Sequence, residues 1–204
     1  MTRPVRLLLA DDQHLVRGAL AALLELEDDL VVVAQVASGD EVLPAVREHR
    51  PDVALLDIEM PGLDGIEAVR QVVAETPECR CLIVTTFGRP GYLRRAMEAG
   101  AAGFVVKDTP AAHLAEAVRR VHAGLRVVDP ALAEESLVNG PNPLTAREQE
   151  VLRAAEDGAS VKQVAAALHL SPGTVRNHLS AAIGKTRTSN RSEACRAARG
   201  NGWL

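Results

Sequence analysis

The sequence predicts an α/β domain on a five-stranded parallel sheet, followed by a small all-α domain of four helices. Three observations predict it. Up to Gly124, five short apolar runs alternate with five segments of helical periodicity, and such alternation implies a parallel sheet with helices on both faces. The breaker-rich stretch Gly140-Pro-Asn-Pro143 then precedes a segment that carries helix signals. Charge divides at the same place. Residues 1–142 hold 14 Lys and Arg against 22 Asp and Glu, a balance of −8; residues 143–204 hold 9 against 5, a balance of +4. An acidic half joined to a basic half makes the second a candidate for binding nucleic acid. The division predicted is 1–124, a linker over 125–142, and 143–204.

Taken in order, Val5 to Ala10 reads as strand 1 and ends at Asp11-Asp12. His14 to Leu26 spaces Leu15, Ala19, Ala22, Leu23 and Leu26 as a helix does. Leu30 to Val36 is strand 2, and Gly39 to Arg50 is a second helix stopped before Pro51. Val53 to Asp57 is strand 3, an apolar run of the kind buried on both faces, closed by a carboxylate. Asp64 to Thr76 is helix 3 and Arg80 to Thr85 strand 4. Pro90 to Ala99 is helix 4, with Gly100 suited to its C-cap. Ala102 to Val106 is strand 5, followed at once by Lys107; Ala111 to His122 is helix 5, closed by Gly124. Leu125 to Asn142 lacks steady periodicity, with a short helix predicted over Pro130 to Leu137.

Beyond Pro143, Thr145 and Glu148 form a capping box that opens a helix running to about Asp157-Gly158. Ser160 to Leu168 is the next helix, and His169-Leu170 a tight turn. Ser171 caps a third helix with Pro172 at its first position, where proline is favoured. Val175, Leu179 and Ile183 form its buried stripe; Gly173, Thr174, Arg176, Asn177, Ser180 and Lys185 lie opposite. Asn190 or Ser192 starts the last helix. Two short helices joined by a tight turn, the second capped and polar on its free face, read as a helix-turn-helix. Arg can fork to guanine and Asn can pair with adenine, whereas Lys185, Arg187 and Arg191 suit phosphates.

Composition narrows the class. Hydrophobic content of 47% with 25% charged residues is globular. No apolar run reaches the roughly 18 residues of a membrane span. The apolar run after the start is short and broken by Asp11-Asp12, which opposes a signal peptide. Cys79, Cys81 and Cys195 are odd in number and lack metal-like spacing, so a reduced cytosol is the simplest setting.

Right-handed crossovers place every strand's carboxyl end on one edge, where open α/β sheets carry their chemistry. Those ends carry Asp11, Asp12, Asp57, Thr85 and Lys107. Clustered carboxylates repel one another unless a cation neutralises them. Mg²⁺ suits Asp11, Asp12, Asp57 and a backbone carbonyl near Glu59, being hard and oxygen-seeking. Asp57 would attack a phosphoryl group through its carboxylate, with Lys107 stabilising the developing charge and Thr85 bonding a phosphoryl oxygen.

At these residues the chain resembles a known family. Asp11-Asp12, Asp57-Ile-Glu-Met-Pro-Gly, Thr85-Thr86 and Gly103-Phe-Val-Val-Lys107-Asp look like a bacterial response-regulator receiver domain over residues 4 to about 124. Leu144-Thr-x-Arg-Glu148, Val161-x-x-Val164-Ala165 and Leu170-Ser-Pro-Gly-Thr174-Val175-Arg176-Asn177-His178-Leu179 resemble the LuxR-type helix-turn-helix. Together they resemble the NarL/FixJ architecture, and the ending Asn190-Arg-Ser-Glu-Ala … Asn201-Gly-Trp-Leu resembles its DesR subgroup. The resemblance implies a flavodoxin-like sheet of order 2-1-3-4-5. It implies phosphorylation of Asp57 by a sensor histidine kinase, with Mg²⁺ on Asp11 or Asp12, Asp57 and the Glu59 carbonyl. Thr85 matches the switch hydroxyl and Phe104 the switch aromatic; Glu59 and Phe87 match positions that tune phosphoryl lifetime. Arg176, Asn177 and Ser180 fall at base-facing positions, and Thr174, Lys185 and Arg191 at the DNA backbone. The implied protein is a cytoplasmic transcription regulator, not an enzyme, that dimerises on phosphorylation and binds promoter DNA, with RNA polymerase as a further partner.

Two other classes compete. An Asp nucleophile with Mg²⁺, Thr and Lys also fits a phosphohydrolase of the haloacid-dehalogenase class. Such enzymes carry Asp-x-Asp after the first strand and a cap domain, whereas here the nucleophile ends strand 3 and residue 59 is Glu. A DNA-binding regulator indifferent to phosphorylation would carry a vestigial receiver, yet every pocket residue is present.

Overall fold

Five of the apolar runs become parallel strands: β1 (Val5–Ala10), β2 (Leu30–Val36), β3 (Val53–Leu56), β4 (Arg80–Thr85) and β5 (Gly103–Val106). These come from a computed structural model that describes residues 3–86, 90–129, 132–133, 142–156 and 158–204. Leu7, Leu9, Val53, Leu55, Leu82 and Val84 point to one face. The residues between them, Leu8, Ala54, Leu56 and Ile83, are as deeply buried and point to the other, because strand side chains alternate. Burial on both faces is why the runs read as continuous instead of alternating.

Helices cover both faces. α1 (His14–Leu24) and α5 (Ala111–His122) send Ala21, Leu24, Leu114, Val118 and Val121 into the first layer. α2 (Val42–His49) and α3 (Gly65–Glu75) touch each other, and lie against β2 and β4 respectively. α4 spans Pro90–Ala99. The predicted second helix is split. Gly39–Glu41 forms a 3-10 turn before α2, with Ser38 and Glu41 capping each other.

The strand order is β2-β1-β3-β4-β5-β6, all parallel. The sixth strand, β6 (Val127–Val128), departs from the five expected. It pairs Gly103 with Val127 and Phe104 with Val128. Two residues are too short to show a period, so the sequence pattern does not reveal them. A Cβ on Gly103 would lie 2.8 Å from the Val127 carbonyl, so the glycine makes room for the pairing. Of the short helix expected over 130–137, only Leu132 and Ala133 are described.

The chain divides into two compact units, and the second is all-helical among the described residues. It holds α6 (Ala146–Ala155), α7 (Val161–Ala167), α8 (Pro172–Thr186) and α9 (Arg191–Gly200). Each has a side-chain N-cap, from Thr145, Ser160, Ser171 and Asn190. Such caps satisfy backbone N–H groups that short helices leave bare. The core joins Val151, Leu152, Val164, Val175, Leu179 and Ala198, with Trp203 packed against it.

Candidate functional site

Asp57 lies one residue past β3, and its N–H donates to the Ala10 carbonyl at 2.8 Å. Asp11 lies one residue past β1, and its N–H donates to Val36 at 3.2 Å. β1 and β3 are neighbours, so both carboxylates meet where the strand order reverses, the usual ligand crevice of such sheets. One oxygen of each is used locally. Asp57 Oδ1 accepts from the Ile58 N–H at 2.7 Å, and Asp11 Oδ1 from the Gln13 N–H at 2.9 Å. The other two face Lys107, whose Nζ stands 2.7 Å from Asp57 Oδ2 and 2.8 Å from Asp11 Oδ2. The Asp57 contact has hydrogen-bond direction. Asp11 Oδ2 is paired by charge and distance only, and remains a buried acceptor without an aligned donor.

Lys107 is delivered by β5. Its backbone N–H donates to the Thr85 carbonyl at 2.8 Å, which ties the ends of β4 and β5 together. Thr85 is buried whereas Thr86 is exposed, so the register puts Thr85 inside. Phe104 is fully buried on β5. Asp12 and Glu59 are exposed, and Phe87 lies outside the described residues.

Burial pushes the Asp57 carboxyl above the ordinary aspartate range; Asp11 adds to the push and Lys107 opposes it. Burial works against the Lys107 ammonium, but Asp11 and Asp57 outweigh it and hold its pKa above the ordinary lysine value. Oxygens of Asp11, Asp12 and Asp57 lie within 4.8 Å of one another. The three carboxylates carry more negative charge than the one Lys107 ammonium, paired with Asp11 and Asp57, can offset, and Asp11 Oδ2 still lacks an aligned donor. This donor set fits a hard divalent cation such as the Mg²⁺ expected from the sequence.

In the second unit, the Ser171 hydroxyl accepts from the Thr174 N–H at 3.0 Å and starts α8. Val175, Leu179 and Ala182 are buried; Arg176, Asn177 and Ser180 are exposed on the other side, with Thr174 half-buried. The turn before α8 bends at His169, whose φ of 52° is left-handed, and Leu170 N–H closes it on the Ala165 carbonyl at 2.8 Å. Lys185 and Arg191 are engaged within the unit. Lys185 Nζ bonds both Glu148 oxygens at 2.8 and 2.9 Å, and Arg191 donates to the Ala159 carbonyl at 2.6 Å.

A family model described as the response regulator receiver domain matches residues 7–119, and one described as bacterial regulatory proteins, luxR family, matches residues 142–198. This chain is a response regulator of the LuxR type. The regulator is 42% identical over 200 residues to the transcriptional regulatory protein DesR of Bacillus subtilis (strain 168), covering 98% of this chain and 99% of DesR. YvfU of the same strain, an uncharacterized transcriptional regulatory protein, is also 42% identical over 200 residues, covering 98% and 100%. Among solved structures, the response regulator ChrA of a heme-sensing two-component system aligns over 100% of both chains, with 35% identity and a TM-score of 0.60. The regulator is thus a two-component transcription regulator with a receiver and a LuxR-type DNA-binding domain.

Two residues of the regulator's pocket escape motif reading. A Cβ on Gly65 would lie 1.8 Å from the Asp57 carbonyl oxygen, so only glycine lets α3 start against the acceptor loop. Arg17 donates from its guanidinium to the Asp11 carbonyl oxygen. Its signal was available: Arg17 is the one Asp, Glu, Lys or Arg in the run His14–Leu24. Among the described residues, no helix is long and apolar enough to cross a membrane. All three cysteines are buried and free.

Proposed function

We propose that this regulator binds promoter DNA under control of phosphorylation at Asp57. The observation that carries the reading is the sharing of one Lys107 ammonium by Asp57 and Asp11 at the crevice. The Asp57 carboxylate attacks phosphorus on the phosphohistidine of a sensor kinase. An O–P bond forms as the N–P bond breaks, and the electron pair stays on the imidazole nitrogen. Asp11, Asp12, Asp57 and the Glu59 carbonyl would hold Mg²⁺, which supplies positive charge against the phosphoryl oxygens. Lys107 stays paired with the incoming charge, and the Thr85 hydroxyl donates to a phosphoryl oxygen. Phosphorylation turns one negative charge into roughly −1.5 to −2. Thr85 is drawn toward it, and the space it vacates lets Phe104 on β5 turn inward.

Residues 1–124 form the receiver, 125–142 the linker and 143–204 the DNA-binding domain in this reading, with β6 contributed by the linker's first residues. Activation pairs two copies of the chain. α1 and the turn after it favour themselves as the surface: Leu15 and Leu23 on the helix and Leu26 just past its end are 84%, 43% and 77% exposed. Two DNA-binding domains then meet two half-sites, about 34 Å apart in simple helix-turn-helix dimers. Arg176, Asn177 and Ser180 face the bases, and Thr174, Lys185 and Arg191 the backbone. Lys185 and Arg191 would exchange their partners inside the domain for phosphates. The setting is the cytoplasm, and RNA polymerase is the further partner at the promoter.

The test compares the native chain with Asp57→Asn, each with Mg²⁺ before and after a small phosphodonor. Intact mass reads phosphoryl uptake and sedimentation reads assembly. Uptake and dimerisation confined to the native chain are expected. Uptake by Asp57→Asn would remove Asp57 as acceptor; uptake without dimerisation would favour release of a masked recognition helix instead.

A further inference from the structure

We infer that Arg17 is a positioning residue for the divalent-cation site, an inference that rests on the proposed reading of the Asp11–Asp12–Asp57 cluster. Asp11 stands beyond the last ladder residue of β1, so its carbonyl has no partner in the sheet. The guanidinium of Arg17, one turn into α1, donates to that carbonyl. Helical side chains point back toward the N-terminus, so a residue in the first turn is suited to this reach. The Asp11 peptide is then held from both sides, by its N–H on Val36 at 3.2 Å and by Arg17 on its oxygen. The Gln13 N–H fixes Asp11 Oδ1 at 2.9 Å. What remains unaligned is Oδ2, the oxygen turned toward Lys107.

The choice of acceptor matters. An arginine near three carboxylates would ordinarily form a bidentate pair with one of them and occupy the oxygens a cation needs. Arg17 takes a backbone oxygen instead and leaves those of the cluster available, while it lines the same small cavity as Asp11 and Asp57. Arg17 is half-buried, and α1 carries no other Asp, Glu, Lys or Arg to compete for the fork. Partners of this kind behind a ligand commonly change metal affinity by about 10- to 100-fold.

The sign of the effect separates positioning from charge. Removing a neighbouring positive charge should by itself strengthen binding of a divalent cation; removing a positioning bond should weaken it. The experiment titrates Mg²⁺ alone into the full chain by calorimetry, for the native protein, Arg17→Met, Arg17→Gln and Arg17→Lys, with thermal midpoints taken without Mg²⁺. The native chain is expected to bind Mg²⁺ and both neutral variants to bind it at least about tenfold more weakly, with Arg17→Lys recovering much of the loss. If Arg17→Met does not fold, Arg17→Gln carries the comparison. Neutral variants that bind as tightly as the native chain, or more tightly, overturn the inference and leave the cation site standing. A native chain that binds no Mg²⁺ overturns the site and the inference with it.

Discussion

Lys107 holds two buried carboxylates with one ammonium, and its loss should be felt in stability before it is felt in chemistry. Lys107→Met leaves Asp11 and Asp57 facing each other without a counter-charge. Breaking a buried pair costs about 3 kcal/mol or more. We expect the denaturant midpoint of Lys107→Met to fall in metal-free buffer and to recover in part with saturating Mg²⁺; equal midpoints in both buffers would show that the cation does not replace the ammonium's charge. Gly65→Ala drives a Cβ into the Asp57 carbonyl, which is backbone and cannot swing away. A loss of about 2 kcal/mol is expected, as for overpacking elsewhere, together with slower phosphoryl uptake. Unchanged uptake would mean that the acceptor loop tolerates the shift. The residue types at the strand ends were legible because each lies directly after an apolar run. Gly65 was not, because it acts by lacking a side chain; Arg17 stood out only as the one Asp, Glu, Lys or Arg of its helix, and its backbone acceptor leaves no pattern of spacing.

Within the DNA-binding domain, the Glu148–Lys185 pair ties α6 to α8. Glu148 is buried, caps its own helix through the Thr145 N–H at 2.7 Å, and receives Lys185. Burial alone would raise its pKa, but Lys185 and Thr145 outweigh it and hold the carboxyl below the ordinary glutamate range. A carboxylate depressed on folding contributes stability above its unfolded value, 4.5, and loses that contribution as pH falls through the lower folded value. Melting of the domain should therefore weaken with acid below that point in the native chain, and less so in Glu148→Gln. Parallel acid profiles for the two would remove Glu148 as the cause. Lys185→Met should cost about 1 kcal/mol, since the ammonium is still partly in water. The capping box of α6 was legible as Thr145 with Glu148 three residues on. Lys185 was not legible as its partner, because the contact joins residues 37 apart and Lys185 also sits on the polar side of α8.

For the molecule as a whole, the exposed leucines of α1 and of the turn after it are the surface to change. Leu23→Arg with Leu26→Asp should leave phosphoryl uptake at Asp57 intact and keep the phosphorylated chain monomeric in sedimentation. A dimer that survives both changes would move the interface to another face. The five main strands and the charge divide along the chain were legible, since alternation and charge report on long segments; the strand order followed from the family resemblance instead. The sixth strand was not, and it has a practical consequence for anyone who divides the chain. Without Val127-Val128, the outer rim of β5 would present bare N–H and C=O groups, an open template for another copy. A fragment ending at Gly124 should aggregate or bind amyloid dyes at concentrations where one ending at Asp129 stays dispersed by light scattering. If both stay dispersed, the two-residue ribbon is dispensable; if only the longer does, the fragment needs five residues of what composition alone assigns to a tether.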